Sequence, residues 1–247
     1  ASAMLAVAGG VASLPYSYLS SAPPSGENEA VIVPLQKDAW SAVISNPALV
    51  VGSGAEDAVR YTLLPVLKAR SIRPCGMLCC GNGKAERAGE KELEKEYPGI
   101  RNWGAESGEC PVRQWRLRPG NELVLEDFPV PLRTGIRQDR NRVLSWECRG
   151  RRFLMIGNAG FSSLARAEKT PRADVLLIGH HPRDPVDSAA WIRATGARAV
   201  IFATEHECPV PEGTAVYRLR ETGTLYLRME EKGVRIIPWR GMERRTG

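Results

Sequence analysis

From Ala30 onward, short apolar runs alternate with turn residues and charged helical stretches. Runs rich in Val, Ile and Leu at 31–35, 40–45 and 48–51 predict three strands of a β-meander, separated by Pro, Asn, Asp and Gly. The period then changes. Between Glu56 and Arg70, Val59, Leu63, Leu64 and Leu67 recur at helical spacing, and Pro65 falls inside that helix, where it sits in a first turn or kinks the axis. "CGMLCC" (75–80) is continuously apolar, the pattern of a strand buried on both faces. Gly81 to Gly83 then turn the chain into the charged helix "AERAGEKELEKEY", so a βαβ layer is expected.

Strands return in the middle: "RQWRL", a "PGN" turn, "ELVLEDF", a polar loop from Thr134 to Asn141, then "RVLSWEC" and "RRFLMIG" hinged at Arg149 and Gly150. "ADVLLIG" and "ARAVIFA" flank a helical "DSAAWIRATG", and "TAVYRL", "GTLYLRM" and "GVRIIPW" close the pattern. Strands at both ends with helices interleaved predict an α/β fold of two sheets inside outer helices, a four-layer αββα sandwich. No repeat period suggests a solenoid.

A chain of 247 residues accommodates one main domain, here 30–240, with an amino-terminal segment 1–29 and a tail 241–247. The apolar run from Met4 to Leu14 is shorter than the ~20 residues that span a bilayer, and it lacks the basic start of a signal peptide. It reads as added residues, or as the stump of a membrane segment in a longer parent joined by the Pro/Ser-rich stretch Pro15 to Glu29. The 34 Lys and Arg against 28 Asp and Glu give +6, mostly from arginine, which favours anionic partners without requiring one. Six cysteines in this length make no disulfide framework; Cys75, Cys79 and Cys80 are expected as free thiols in or beside one strand.

Six fragments in order resemble the metallo-β-lactamase fold, and within it the carboxy-terminal domain of ComEC-type DNA-internalisation competence proteins, over roughly Val31 to Trp239. "VPLQKDAWSAVI", with Gln36, Asp38 and Ala39, is similar to the family's "DVGQGDA" strand, and "LVVGSG" to its "LIDTG". "LLPVLKARSI" is similar to "LLPYLRARGI", and "NRVLSWECRGRRFLMIGN" to "NSLVLRLEYGGRRFLLTGD". "ADVLLIGHHPR" is similar to "ADVLKVPHHGS", and "VYRLRETGTL" to "VYRTDRDGAV". The resemblance implies a mixed two-sheet sandwich, a binuclear metal site on the loops at one end, and a soluble domain associated with the bacterial cytoplasmic membrane, on a side the chain does not specify.

The same resemblance implies that the metal site is degenerate. Asn82, Lys84, Glu86 and Arg87 stand where the family has its His-rich loop, and only Glu86 keeps a group that binds metal. Gly52 and Asn158 replace the acidic groups of "LIDTG" and "TGD", while His180 and His181 hold the "HHGS" position. Cys208 falls near a late histidine, with His206 two residues away as the other register. Those three histidines are all the chain has, too few for a binuclear site in its usual form.

Residue chemistry leaves alternatives open. A remodelled Zn or Mn site would draw on Cys80 or Cys79, Glu86, His180, His181 and Cys208, against relic histidines and buried thiols as the plainer reading. A Cys–His nucleophile in the same neighbourhood has nothing to mark which thiol is activated. "CGNGKAER" has the glycines of an anion nest next to Lys84, although it is not a Walker loop and the glycines equally serve a sharp turn. Lys84 and Arg87 turn a cation pocket towards anions. Arg133, Arg137, Arg140, Arg142, Arg149, Arg151 and Arg152 surround Trp146, a candidate face for single-stranded DNA or another phosphate-bearing anion if the indole is exposed for stacking, or equally a solvated hairpin with Trp146 in the core.

These readings converge on a non-catalytic ComEC-like domain acting in DNA uptake by binding DNA or a partner, without a cofactor. The alternatives are a metal-dependent nuclease or phosphoesterase on the remodelled site, and an assembly domain whose partner is membrane-embedded or is its own parent chain.

Overall fold

The computed structural model describes residues 28–35, 39–45, 48–78, 84–102, 112–118, 121–128, 141–156, 170–179, 188–204 and 207–239. The expected meander is formed by β1 (Glu29–Pro34), β2 (Trp40–Ile44) and β3 (Leu49–Val51), paired antiparallel in chain order. β4 (Gly76–Leu78) and β5 (Arg101–Asn102) then add in parallel, giving the expected βαβ layer. The chain crosses to a second sheet built in sequence from β6 (Val112–Arg118), β7 (Asn121–Phe128), β8 (Asn141–Cys148), β9 (Arg151–Ile156), β10 (Val175–Ile178), β11 (Ala199–Phe202) and β12 (Ala215–Arg218). Its first four strands pair antiparallel and its last four parallel. β13 (Leu225–Glu230) and β14 (Gly233–Pro238) return to the first sheet, where β13 lies antiparallel beside β1. Among the described residues each sheet has seven strands, and both are mixed.

Alternation along the strands explains the layers. In β1, Ala30 and Ile32 face the second sheet, meeting a core that includes Trp146, Phe153, Leu177 and Ile201. Val31 and Val33 face the other way, onto Leu63, Leu67 and Leu93 of the outer helices. On the far side, Leu154, Ile178 and Phe202 are covered by Trp191 and Ile192 of a further helix. Burying each large side chain contributes roughly 1.5–3 kcal/mol relative to exposure. The αββα sandwich is therefore the expected one.

Three local details differ from the pattern. The stretch 56–70 is not one α-helix: α1 (Glu56–Ala58) opens into a π-helical turn, Val59–Leu63, before α2 (Leu64–Ala69). Pro65 has no N–H to give to the carbonyl four residues back, and the widened turn, in which the Leu64 N–H donates to the Val59 carbonyl, absorbs the defect. The apolar run 75–80 contributes a strand only at Gly76–Leu78; Cys75 is exposed and its thiol donates to the Ala48 carbonyl at 3.4 Å. Cys79 and Cys80 lie outside the described residues. Between β12 and β13 the chain forms a short helix, α5 (Leu219–Thr222), which the apolar spacing does not signal; the helices before it are the charged α3 (Lys84–Glu96) and the more apolar α4 (Ser188–Thr195).

One buried ionic cluster ties the first sheet to α2. The Glu29 carboxylate, at the start of β1, accepts hydrogen bonds from Arg228 of β13 and lies 3.7 Å from the guanidinium of Arg70. The Arg70 side chain is fully buried and stacks 4.5 Å above the ring of Tyr226, which in turn meets Trp239.

Candidate functional site

The candidate loops leave the carboxyl ends of β3, β4, β9 and β10, on both sides of the seam between the sheets. Gly52 follows β3, and its N–H donates to the Leu78 carbonyl at 2.8 Å, fastening the ends of β3 and β4 together. Its φ is +73°, and a Cβ there would stand 2.8 Å from the Trp40 carbonyl oxygen. Backbone conformation and space both demand glycine. On the other sheet the Gly179 N–H donates to the Ile156 carbonyl at 2.9 Å, fastening β10 to β9. A Cβ at Gly179 would lie 2.0 Å from Nε1 of Trp40. The buried indole of Trp40 therefore spans the seam, from the end of β3 in one sheet to the end of β10 in the other.

α3 is held against this end of the first sheet. The buried Ser53 hydroxyl donates to the Glu86 carbonyl at 3.0 Å, clamping the first turn of the helix to the loop after Gly52. Glu86 is half-buried, and Lys84 and Arg87 are exposed beside it. Among the described residues, the loop and helix start thus carry two cations and one carboxylate. Asn82, Asn158, His180, His181 and His206 lie outside the described residues, as do Gln36 and Asp38.

Cys208 packs elsewhere, with Trp191 and Phe202 on the outer face of the second sheet, whereas Glu86 belongs to a helix outside the first sheet. Burial pushes the Cys208 thiol up, a hydrogen bond with Ser188 opposing it in part, so the thiolate that a metal would need is disfavoured. Among the described residues, no three His, Cys, Asp or Glu side chains come close enough to hold a metal ion.

The arginine-rich face is only partly as expected. Arg149 and Gly150, with φ of +52° and +68°, form the tight turn between β8 and β9, and Arg149 is exposed at its tip. Arg151 folds back onto Asp174 at 3.4 Å and onto the Glu231 carbonyl at 2.6 Å, and Arg152 pairs with Glu147. Arg142 stands in β8 opposite Asp127, and Arg133, Arg137 and Arg140 lie outside the described residues. Of the two readings left open for Trp146, stacking platform or core residue, the structure gives the core: it is 0% exposed. Leu144, Trp146 and Cys148 share the face of β8 that meets the first sheet, so alternation commits the indole to the core.

The sequence reading missed the neighbours of this face. Arg172, just before β10, and Arg198, just before β11, line an open cleft of about 560 Å³ with Arg152, Glu147, Asp174 and the end of α4. The signal was a cation beside the first residues of two adjacent parallel strands, in "PRAD" and "ARAV".

This two-sheet architecture is the metallo-β-lactamase fold. The chain superposes on the metallo-β-lactamase fold protein YhfI from Bacillus subtilis with a TM-score of 0.53, over 78% of this chain and 96% of that one, at 9% identity. It is also similar to Igni18, a metallo hydrolase from the archaeon Ignicoccus hospitalis, with a TM-score of 0.48, 11% identity, and coverage of 82% of this chain and 100% of that one. A third similar structure is MEM-A1, a subclass B3 metallo-β-lactamase from a soil metagenome, with a TM-score of 0.46, 11% identity and coverage of 66% and 81%. The superposition on YhfI carries the assignment, and at such identity it carries the fold alone. No protein-family model matches the sequence, and neither does any curated protein. No helix among the described residues is long and apolar enough to cross a membrane.

Proposed function

We propose that this chain is a ComEC-like metallo-β-lactamase domain with a degenerate metal centre, acting without hydrolysis by binding single-stranded DNA during its uptake at the cytoplasmic membrane. The observation that carries the reading is the Trp40 indole lodged between Gly52 and Gly179. The resemblance puts a metal-binding carboxylate at position 52, where this backbone accepts no side chain without strain. The described donors do not fit a binuclear centre: Glu86 and Cys208 sit on opposite outer layers, and Lys84 and Arg87 bring positive charge to the loop.

Exposed cations at both ends of the sheets, Lys84 and Arg87 beside the Gly52 loop and Arg149 on the β8–β9 turn at the opposite end, support an anionic partner. Phosphates of a DNA backbone fit guanidinium groups without needing a metal. The test pairs metal analysis of the purified chain with a gel-shift titration of single-stranded DNA across a salt series. The reading expects substoichiometric zinc and manganese, no cleavage, and binding that weakens steeply with salt. Stoichiometric metal with cleavage of the DNA establishes the nuclease instead, and salt-independent or absent binding removes DNA as the partner.

A further inference from the structure

We infer that the cleft at the amino ends of β10 and β11 is a phosphate-binding site, separate from the loops at the opposite ends of these strands. The ligand chemistry is a phosphate group approached by Arg172 and Arg198, with Arg152 also lining the cleft. The nucleic-acid reading above supplies the polymer that would carry the phosphate; the cleft itself rests on its own geometry.

The carboxylates of the cleft are already committed. Glu147 pairs with Arg152, and Asp174 accepts the Arg152 N–H at 2.9 Å while facing Arg151 at 3.4 Å. That leaves Arg172 and Arg198, both exposed and neither with an ion pair or side-chain hydrogen bond among the described residues. Three guanidinium groups of the lining, Arg152, Arg172 and Arg198, thus meet two carboxylates, Glu147 and Asp174, and the surplus charge is positive. α4 ends at the cleft with its carbonyl end, which disfavours an anion, but the Thr195 carbonyl is occupied by the Ala173 N–H at 3.0 Å. Two unengaged forks outweigh that end effect, since charge-assisted bonds to phosphate are roughly twice as strong as neutral ones.

The walls are rigid for a structural reason. The Asp174 N–H donates to the Arg152 carbonyl at 2.8 Å and the Arg198 N–H to the Asp174 carbonyl at 3.0 Å, so β9, β10 and β11 enter the sheet locked side by side. Arg152 and Arg198 therefore project from adjacent backbones held by these bonds, and Arg172 directly precedes Ala173, whose N–H is bonded to the Thr195 carbonyl. The loop after Gly179 leaves the other end of β10, roughly 15 Å away along the strand.

The experiment measures binding of the full chain to a labelled single-stranded oligonucleotide at several salt concentrations, and to inorganic pyrophosphate alone by calorimetry. The variants are Arg172→Ser/Arg198→Ser, Lys84→Ser/Arg87→Ser at the opposite end, and Arg235→Ser on β14 as a control for lost charge. Circular dichroism checks that each is folded. The cleft predicts that R172S/R198S weakens oligonucleotide binding about tenfold and flattens the salt dependence by about one phosphate contact or more, that R235S matches the parent, and that pyrophosphate competes.

If the parent binds the oligonucleotide and R172S/R198S binds it equally well, the cleft proposal is overturned while the nucleic-acid reading stands; loss confined to K84S/R87S moves the contact to the other end. If only pyrophosphate binds, and R172S/R198S abolishes it, the cleft stands as a small-anion site and the nucleic-acid reading fails. Binding of neither probe removes both.

Discussion

Nε1 of Trp40, on the first sheet, occupies the space that any side chain at Gly179, on the second sheet, would need: a Cβ there would be 2.0 Å away. The two residues are partners in one contact that closes the seam between the sheets. Gly179→Ala is expected to push the indole out of place and destabilise the fold by roughly 1–3 kcal/mol, as overpacking does. Trp40→Ala leaves a cavity instead and is expected to cost about 3–5 kcal/mol. Urea unfolding of both single variants and of the pair checks this. In the pair, the alanine at 179 no longer meets an indole, so the two costs add to more than the double variant loses.

Gly52→Asp restores the acidic group that the resembled family has, and is expected to fail as a restoration. At φ of +73°, with the Trp40 carbonyl 2.8 Å from the new Cβ, the residue is strained by about 1–3 kcal/mol. The variant should melt lower than the parent, and metal analysis should find no more zinc or manganese bound than in the parent. A clear gain in metal content would mean that the seam opens to admit ligands.

Glu29 is the hinge of a stability prediction. Its carboxylate is buried with the fully buried Arg70 guanidinium beside it, so Glu29→Ala leaves a charge in the interior without its counter-ion. Breaking such a pair costs about 3–5 kcal/mol. The denaturation midpoint should fall accordingly, while Glu56→Ala, which removes the exposed partner of Arg60, should stay within about 1 kcal/mol of the parent.

Stability should decline at alkaline pH. Burial pushes the Tyr226 phenol and the Cys148 and Cys208 thiols above their ordinary values. The unfolded chain then releases these protons near the unperturbed values of about 8.5 for thiols and 10 for tyrosine, while the folded chain still holds them. Stability is therefore complete below that range and lost as pH rises through it. Urea midpoints at neutral pH and near pH 10 measure the drop, and Cys148→Ala/Cys208→Ala should reduce its thiol part. A midpoint that is flat over the range would contradict the assignment.

Much of the fold was legible because alternation and helical spacing are local. Val31 and Val33 against Ala30 and Ile32 already separate two faces of β1, and "ADVLLIG" with "ARAVIFA" around a helical stretch already describes adjacent parallel strands. The candidate site was less legible. That Gly52 sits at positive φ depends on how β3 ends against β4, and Trp146 in an arginine-rich stretch reads equally as a stacking platform or a core residue until its partner sheet is in place. Arg172 and Arg198 are 26 residues apart by number, and each alone is an ordinary surface arginine.

By itself, then, the sequence determined the order of the strands other than the short β5, and the two-sided burial that requires helices outside both sheets. These are properties of neighbouring residues, set by backbone periodicity and side-chain chemistry. Only the tertiary structure decided that β13 and β14 return to flank β1, that the Trp40 indole closes the seam against Gly52 and Gly179, and that arginines from three strand starts face one cleft. The physical reason is that long-range pairing and close approach depend on which surfaces remain to be buried once the strands exist, and no local period records that choice.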